Sequence, residues 1–231
     1  MAEVIVAFDV ATADAARRLA DHLPGLKWAK IGPMLLLVEG GTALIKELRG
    51  RGVEIFLDCK WHDIPNTVAG AVRAAAGLGV SLATVHALGG REMVQAAVAA
   101  RGGMRLAGVS VLTSHTPGSF ADATGRADLG AEGADLGAEV ARLTRLLVEA
   151  GVDAIVTSPH EIARARALAG PDRWIVVPGI RPAGSAAGDQ RRTATPEAAV
   201  AAGATHLVVG RPVIEAREPR AAYEALCDAV G

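Results

Sequence analysis

The chain has 231 residues, of which 51% are hydrophobic and 21% are charged, and its formal net charge is -1. Balanced charge leaves no basic excess for nucleic acid, and no apolar run reaches the length of a membrane span. The N-terminus enters a strand-like run directly, without the pattern of an export signal, and the two cysteines, Cys59 and Cys227, lack metal-site spacing. We therefore expect a cytoplasmic protein with one large core.

Strand-like runs alternate with alanine-rich helical segments along the whole chain. The predicted strands are Val4–Phe8, Leu26–Ile31, Val53–Leu57, Leu82–His86, Leu106–Leu112, Ala154–Thr157, Trp174–Val177 and His206–Val209. The predicted helices are Ala13–His22, Met34–Arg49, Asn66–Gly77, Arg91–Ala100, Leu136–Ala150, Pro159–Ala169, Pro196–Ala202 and Val213–Val230. Apolar strands that are each followed by a helix predict a parallel sheet. Eight such units predict a single (β/α)8 barrel, a TIM barrel, over residues 1–231. The first strand is not followed by a GxGxxG motif, which argues against an open dinucleotide-binding sheet.

Polar residues follow the ends of the predicted strands, which is where functional groups lie in this fold. They are Asp9, Lys30, Asp58, Lys60, His86, Thr113, Ser114, Thr157, Ser158, Arg181 and Arg211. Lysine is rare in this chain, with only Lys27, Lys30, Lys46 and Lys60, and arginine supplies most of the positive charge. Because lysine gives up a proton more readily than arginine, a lysine at a strand end can mark a site of proton transfer.

Residues 56–67 contain the densest group of charges at a strand end. Side chains alternate along a strand, so Asp58 and Lys60 are expected on one face and Cys59 on the other. Asp63 follows three residues after Lys60, and this spacing offers the ammonium a second carboxylate. Pro65 suits the first turn of a helix. A solvated salt-bridge cluster, which contributes little to stability, is the alternative interpretation.

Three connecting segments also carry predictions. A phosphate site is predicted after strand eight, at Gly210, Arg211 and the following proline. Glycine lets backbone N–H groups approach an anion, arginine binds phosphate oxygens, and proline begins a helix whose positive end faces the anion. Residues 180–192, after strand seven, are long and glycine-rich, which predicts a lid that closes on an anion or else a flexible solvated loop. Residues 115–133 contain few large apolar side chains and are expected to form a long excursion at the surface after strand five.

Residues 58–67, DCKWHDIPNT, resemble the D-x-K-x-x-D-I-P-N-T signature of the orotidine 5'-monophosphate decarboxylases. Residues 178–182, PGIRP, and 188–190, GDQ, are similar to the phosphate-loop pattern of that family. The likeness extends over essentially the whole chain, because motifs at the other strand ends follow in the same order. Cys59 and Trp61 depart from the commonest family residues, and neither departure affects the charged positions.

The resemblance implies decarboxylation of orotidine 5'-monophosphate to uridine 5'-monophosphate, the last step of de novo pyrimidine synthesis, without a metal or an organic cofactor. It implies that Lys60 protonates the C6 carbanion and that Lys30, Asp58 and Asp63 complete an alternating charged array. It further implies a homodimer in which Asp63, Ile64 and Thr67 enter the active site of the partner subunit.

The same resemblance assigns binding roles. Asp9 and Thr67 would bind the ribose, Thr113 or Ser114 the pyrimidine, and Gln190 both base and phosphate, while Arg181, Gly210 and Arg211 would hold the phosphate. His62 and His86 are expected to be structural. Two alternatives stay open: a magnesium-dependent sugar-phosphate decarboxylase or synthase of the same superfamily, and an inactive barrel that only binds a nucleotide.

Overall fold

A computed structural model describes residues 2–129, 135–182 and 193–231 of the chain. Parallel strands form a closed barrel in which each strand pairs with its neighbours in sequence and the first pairs with the last. The strands are β1 (Glu3–Ala7), β2 (Trp28–Ile31), β3 (Glu54–Trp61), β4 (Leu82–His86), β5 (Arg105–Val109), β6 (Ala154–Val156), β7 (Trp174–Val177) and β8 (His206–Val209). The (β/α)8 prediction is therefore confirmed.

Helices follow the strands and cover the outside of the barrel. They are α1 (Ala13–Asp21), α2 (Pro33–Leu37), α3 (Gly41–Gly50), α4 (Pro65–Gly77), α5 (Gly90–Ala100), α6 (Pro117–Thr124), α7 (Gly137–Ala150), α8 (Ile162–Ala169), α9 (Pro196–Ala201), α10 (Arg211–Ile214) and α11 (Pro219–Asp228). In the described parts of the chain, no helix has the length and apolar character of a membrane span.

Two segments predicted as single helices are each divided in the structure. Residues 34–49 fall in α2 and α3, because Val38 after α2 is extended, with a ψ of 159°, and Gly40 before α3 has a φ of 78°, in the left-handed region. Residues 213–230 form parts of α10 and α11, and Pro219 begins the second helix. Both breaks lie outside the strands, so they leave the barrel unchanged.

The described part of the predicted surface excursion after β5 contains a helix, which the sequence pattern did not predict. The Oγ1 atom of Thr116 accepts a hydrogen bond from the backbone N–H of Ser119 and caps the start of α6. Phe120 on this helix is 1% exposed. The Thr116 cap begins this helix, and Phe120 and the nearby Leu129 pack it against the core.

Within the described ranges, the buried apolar side chains form two clusters, one between the strands and helices and one inside the barrel. The inner cluster consists of Ile5, Ala7, Trp28, Phe56, Leu82, Ala107, Ala154, Val176 and Val208. At the amino-terminal end of the barrel, the Trp174 ring lies 4.1 Å from the ring of His206 and 5.9 Å from the ring of Trp28, between centroids. These rings pack against one another at that end of the barrel, and a cavity lies at the opposite end.

Candidate active site

A cavity of about 710 Å³ lies at the carboxyl ends of the strands, within the size range of small-molecule sites. The predicted site residues that line it are Asp9, Lys30, Asp58, Lys60, Thr113, Ser114, Arg181, Gly210 and Arg211. These residues lie at the ends of six different strands or in the loops that follow them. Closure of the barrel brings them together around one cavity. The cavity thus lies where a (β/α)8 enzyme binds its substrate.

Four charged side chains of alternating sign form a row along one wall, called here the charged row: Asp9, Lys30, Asp58 and Lys60. The Lys30 ammonium lies 2.9 Å from Oδ1 of Asp9 and 3.9 Å from Oδ2 of Asp58. The Lys60 ammonium lies 2.8 Å from Oδ1 of Asp58. The side chains of Lys30 and Asp58 are 12% and 14% exposed, so solvent screens the middle of the row poorly.

The strand that carries Asp58 and Lys60 is longer and less regular than predicted. Leu57 pairs with Ala83 but Trp61 pairs with Val85, so residues 58–60 lie opposite the single residue Thr84. Lys60 within this bulge has a φ of 49°, and no other non-glycine residue in the described ranges has a positive φ. Bulges redirect side chains and are common beside active sites. Within this bulge, the ammonium of Lys60 donates a hydrogen bond of 2.8 Å to the carboxylate of Asp58.

Cys59 lies between these two charged residues and packs against the outer core, as its alternation predicts. Burial, with a smaller contribution from the charge of Asp58, raises the pKa of its thiol to about 11. The thiol therefore stays protonated at neutral pH and is a packing group.

Asp63 does not reach Lys60 of the same chain. Its Oδ1 accepts a hydrogen bond of 2.6 Å from the backbone N–H of Ile64, and the residue is exposed. Among the described residues, Lys60 forms an ion pair with Asp58 alone. The expectation that two carboxylates flank Lys60 within one chain is not met, because the chain leaves the barrel after Trp61 and enters α4 at Pro65.

Ile64 and Thr67 also point away from the cavity of their own chain. Ile64 is 67% exposed, Thr67 is exposed, and neither is among the described residues that line the cavity. Asp63, Ile64 and Thr67 therefore form an exposed group beside the cavity, which we call the exposed triplet.

Two arginines lie on the wall opposite β3. Arg181 follows β7, and Arg211 begins α10 directly after Gly210. Burial, and then the positive charge of Arg211, lower the pKa of the Arg181 guanidinium. An anion between the two groups would relieve their repulsion and accept hydrogen bonds from both. Gln190, together with residues 183–192 of the predicted lid, lies outside the described residues.

Thr84 is a contributor to the site that the sequence reasoning missed. It is fully buried, its Oγ1 accepts a hydrogen bond of 2.7 Å from the backbone N–H of Lys60, and it lies 3.1 Å from Oδ1 of Asp58. No motif marks this residue. The available signal was alternation along β4, which places Thr84 on the same face as Leu82 and His86, the barrel interior.

The two histidines near the charged row contact each other. The rings of His62 and His86 are stacked, with centroids 5.9 Å apart, and Nδ1 of His86 accepts a hydrogen bond from the backbone N–H of Leu88. Burial, followed by the charges of His62 and Lys60, lowers the pKa of His86 to about 4. His86 is therefore neutral at pH 7. In the described part of the chain, no three or more His, Cys, Asp or Glu residues are grouped so that they could hold a metal ion.

Comparison with known proteins agrees with this geometry. Residues 2–226 match the model of the orotidine 5'-phosphate decarboxylase / HUMPS family. The chain is 48% identical over 228 residues to an orotidine 5'-phosphate decarboxylase of Halorhodospira halophila, covering 96% of this chain and 93% of that protein. An orotidine 5'-phosphate decarboxylase of Anaeromyxobacter sp. is also 48% identical, over 225 residues, with 96% of both chains covered.

A solved structure gives the same result. The crystal structure of orotidine 5'-phosphate decarboxylase from Lactobacillus acidophilus superimposes with a TM-score of 0.82 at 31% identity, covering 100% of both chains. Family, fold and motif order therefore agree over nearly the full length. The chain belongs to the orotidine 5'-phosphate decarboxylase / HUMPS family.

Proposed function

We propose that this protein decarboxylates orotidine 5'-monophosphate to uridine 5'-monophosphate and CO2 in pyrimidine biosynthesis, without a metal or an organic cofactor. The observation that carries the proposal is the Lys60 ammonium, held 2.8 Å from Asp58 at the barrel mouth. The 48% identical relatives that are named for this activity support the substrate.

The reaction requires a group that stabilises and then protonates a carbanion. When the bond between C6 and the carboxylate breaks, CO2 leaves and the electron pair stays on a ring carbon that has no conjugated acceptor. A fixed ammonium beside C6 stabilises that negative charge and then supplies the proton. Lys60 becomes a neutral amine and regains a proton from solvent, so atoms and charge balance without a further reactant.

Asp58 and Lys30 keep the proton donor in place. The carboxylate of Asp58 lies between the two ammonium groups, at 2.8 Å from that of Lys60 and 3.9 Å from that of Lys30. The contact with Lys60 is a charge-assisted hydrogen bond, which is stronger than a neutral one, and the contact with Lys30 is an ion pair without a hydrogen bond. Lys30 is in turn fixed by Asp9, for which we propose contact with the ribose.

The wall opposite β3, formed by the ends of β7 and β8, suits the phosphate. Arg181, Gly210 and Arg211 line the cavity there, and we assign the 5'-phosphate to them, with Thr113 and Ser114 at the pyrimidine. Gln190 belongs to the same proposal as a group that contacts base and phosphate. Binding energy from a phosphate remote from C6 can be used to align the base with Lys60.

We propose in addition that the chain acts as one domain and as a homodimer with shared sites. Large apolar side chains are exposed in the segments that follow β2, β3 and β4: Leu37 and Met34 on α2 are 83% and 53% exposed, Ile64 before α4 is 67% exposed, and Leu88 after β4 is 38% exposed. Exposed apolar groups in one region are typical of an interaction surface. Covering this surface with a second copy would bring the exposed triplet of one subunit toward the cavity of the other.

The decisive experiment measures the spectrophotometric loss of orotidine 5'-monophosphate with excess chelator present. We expect full turnover by the purified protein under these conditions. A requirement for Mg²⁺ would instead support a magnesium-dependent sugar-phosphate enzyme of the superfamily. Tight binding of the nucleotide without turnover would identify an inactive nucleotide-binding barrel.

A further inference from the structure

We infer that Thr84 is a positioning residue, whose hydroxyl group fixes the relative placement of Lys60 and Asp58. The inference rests on the proposed function for its kinetic consequences, whereas its structural basis is the β3 bulge. Thr84 does not line the cavity in the described structure, so it acts through the two charged residues and not on the substrate.

The bulge breaks the regular ladder between β3 and β4. Regular pairing ends at Leu57 with Ala83 and resumes at Trp61 with Val85, which leaves residues 58–60 opposite Thr84 alone. A bulge of this kind removes backbone hydrogen bonds that a regular strand would form. The backbone N–H of Lys60 donates instead to Oγ1 of Thr84 at 2.7 Å. The threonine hydroxyl thus replaces a ladder bond at the catalytic position.

The hydroxyl also completes a ring of contacts. While it accepts from the Lys60 backbone, it donates to Oδ1 of Asp58 at 3.1 Å, and the same oxygen accepts from the Lys60 ammonium at 2.8 Å. One hydroxyl has one proton to donate, so both partners of the Thr84 hydroxyl fix its orientation. The backbone of Lys60 is therefore bonded to Thr84, its side chain is bonded to Asp58, and Thr84 and Asp58 are bonded to each other.

The conformation of Lys60 needs such support. Its φ of 49° lies in the left-handed region, which is unfavourable for a residue with a side chain and persists only where surrounding contacts enforce it. Thr84 is 0% exposed, so water does not reach its position. Without the hydroxyl, the N–H of Lys60 loses its partner, and we expect the bulge to relax and the ammonium to move from Asp58.

The test compares Thr84→Val, which removes the hydroxyl and keeps the shape, with Thr84→Ser, which keeps the hydroxyl. We expect Thr84→Val to lower kcat about tenfold, the effect of losing one hydrogen bond to a charged network, while KM for orotidine 5'-monophosphate changes less than about twofold. Thr84→Ser should retain most of the kcat of the unmodified protein. Thr144→Val is the matched control, because Thr144 is equally buried and its Oγ1 has no hydrogen-bond partner among the described residues.

A crystal structure of Thr84→Val provides a readout that does not depend on the substrate. The inference predicts that Lys60 leaves the left-handed region and that its ammonium moves more than about 4 Å from the Asp58 carboxylate, beyond ion-pair distance. An unchanged bulge, or a kcat equal to that of Thr144→Val, overturns the inference. Thr84→Ser as impaired as Thr84→Val also overturns it. The proposed function is tested separately, with the unmodified protein, and a lack of turnover by that protein would refute the function without bearing on the structural inference.

Discussion

The ammonium of Lys60 and the carboxylate of Asp58 lie 2.8 Å apart, although one residue separates them in the chain. The bulge in β3 places residues 58–60 opposite Thr84 of β4, whose hydroxyl contacts both the backbone of Lys60 and the carboxylate of Asp58. Asp58 is 14% exposed and the Lys60 side chain 38%, so the ammonium reaches the cavity while its partner stays protected. The proposed reaction requires a proton donor that faces the cavity and is held in place by a neighbouring carboxylate.

Replacing Lys60 should therefore abolish turnover. We expect Lys60→Ala to lower kcat for orotidine 5'-monophosphate by about 10³-fold or more, because it removes both the electrostatic stabilisation of the carbanion and its proton source. Lys46→Ala is the matched control, since Lys46 is exposed on α3, outside the cavity, and should keep normal kinetics. Steady-state assays of both variants make the comparison, and residual kcat within tenfold of the unmodified protein would contradict the role of Lys60.

The barrel and most of its cavity could be predicted from sequence. Each strand is a short apolar run with a polar residue at its end, and closure of a parallel barrel brings those ends together without further information. Asp9, Lys30, Asp58 and Arg211 line the cavity as expected. Their placement depends only on alternation and on strand order, which are the features that sequence patterns report best.

Other features depend on contacts that no local pattern reports. The β3 bulge results from a mismatch in pairing with β4, and Thr84 becomes important only because it faces that mismatch. The spacing of Asp63 predicted a contact with Lys60, but the turn before Pro65 directs Asp63 outward. Buried Phe120 and the Thr116 cap order α6 in a segment whose average composition indicates a loop.

Mixing two inactive variants should restore activity if the sites are shared between subunits. In a dimer of Lys60→Ala with Asp63→Ala, one of the two sites has both wild-type groups. After complete exchange at equal amounts, half of the dimers are mixed, so about a quarter of all sites should be active in a symmetric dimer. The measurement is the recovery of orotidine 5'-monophosphate turnover over the time of subunit exchange.

A second mixture controls for nonspecific recovery. Lys60 and Asp58 belong to the same site of one chain, so a mixture of Lys60→Ala with Asp58→Ala leaves every site without one of these groups. This mixture should stay inactive. Proven subunit exchange without recovery in the first mixture would show that the exposed triplet does not serve the partner site.

Removing Arg211 should weaken binding of the phosphorylated substrate. We expect Arg211→Ala to raise KM for orotidine 5'-monophosphate roughly tenfold to a hundredfold, the usual effect of losing a hydrogen bond to a charged group. Binding of the unphosphorylated nucleoside should change little. Arg217→Ala is the matched control, because Arg217 is exposed a short distance further along the chain and does not line the cavity. Equal inhibition of Arg211→Ala and the unmodified protein by a nucleoside monophosphate would show that the phosphate binds elsewhere.

Buried histidines should make the protein less stable in mild acid. Burial, and then the charge of Arg105, lower the pKa of His206 to about 4, well below its ordinary value of 6.5. Between pH 6.5 and 4 the unfolded chain therefore binds more protons at this position than the folded chain, so the free energy of unfolding falls as the pH falls through this range. His206 is 4% exposed, and its contribution to the difference in unfolding free energy between pH 7 and pH 5 is about 2 kcal/mol.

The variant His206→Asn should reduce that pH dependence. Asparagine keeps a polar atom near Nδ1, which contacts Oγ1 of Thr205, but it does not titrate. Urea unfolding at pH 7 and pH 5 should show a loss of stability that is smaller by about 2 kcal/mol than in the unmodified protein. His22→Asn is the control for the substitution itself, because His22 is exposed on the surface after α1. If His206→Asn keeps the full acid dependence, His206 is not the group whose protonation destabilises the fold, and His86, with its pKa of about 4, becomes the position to replace.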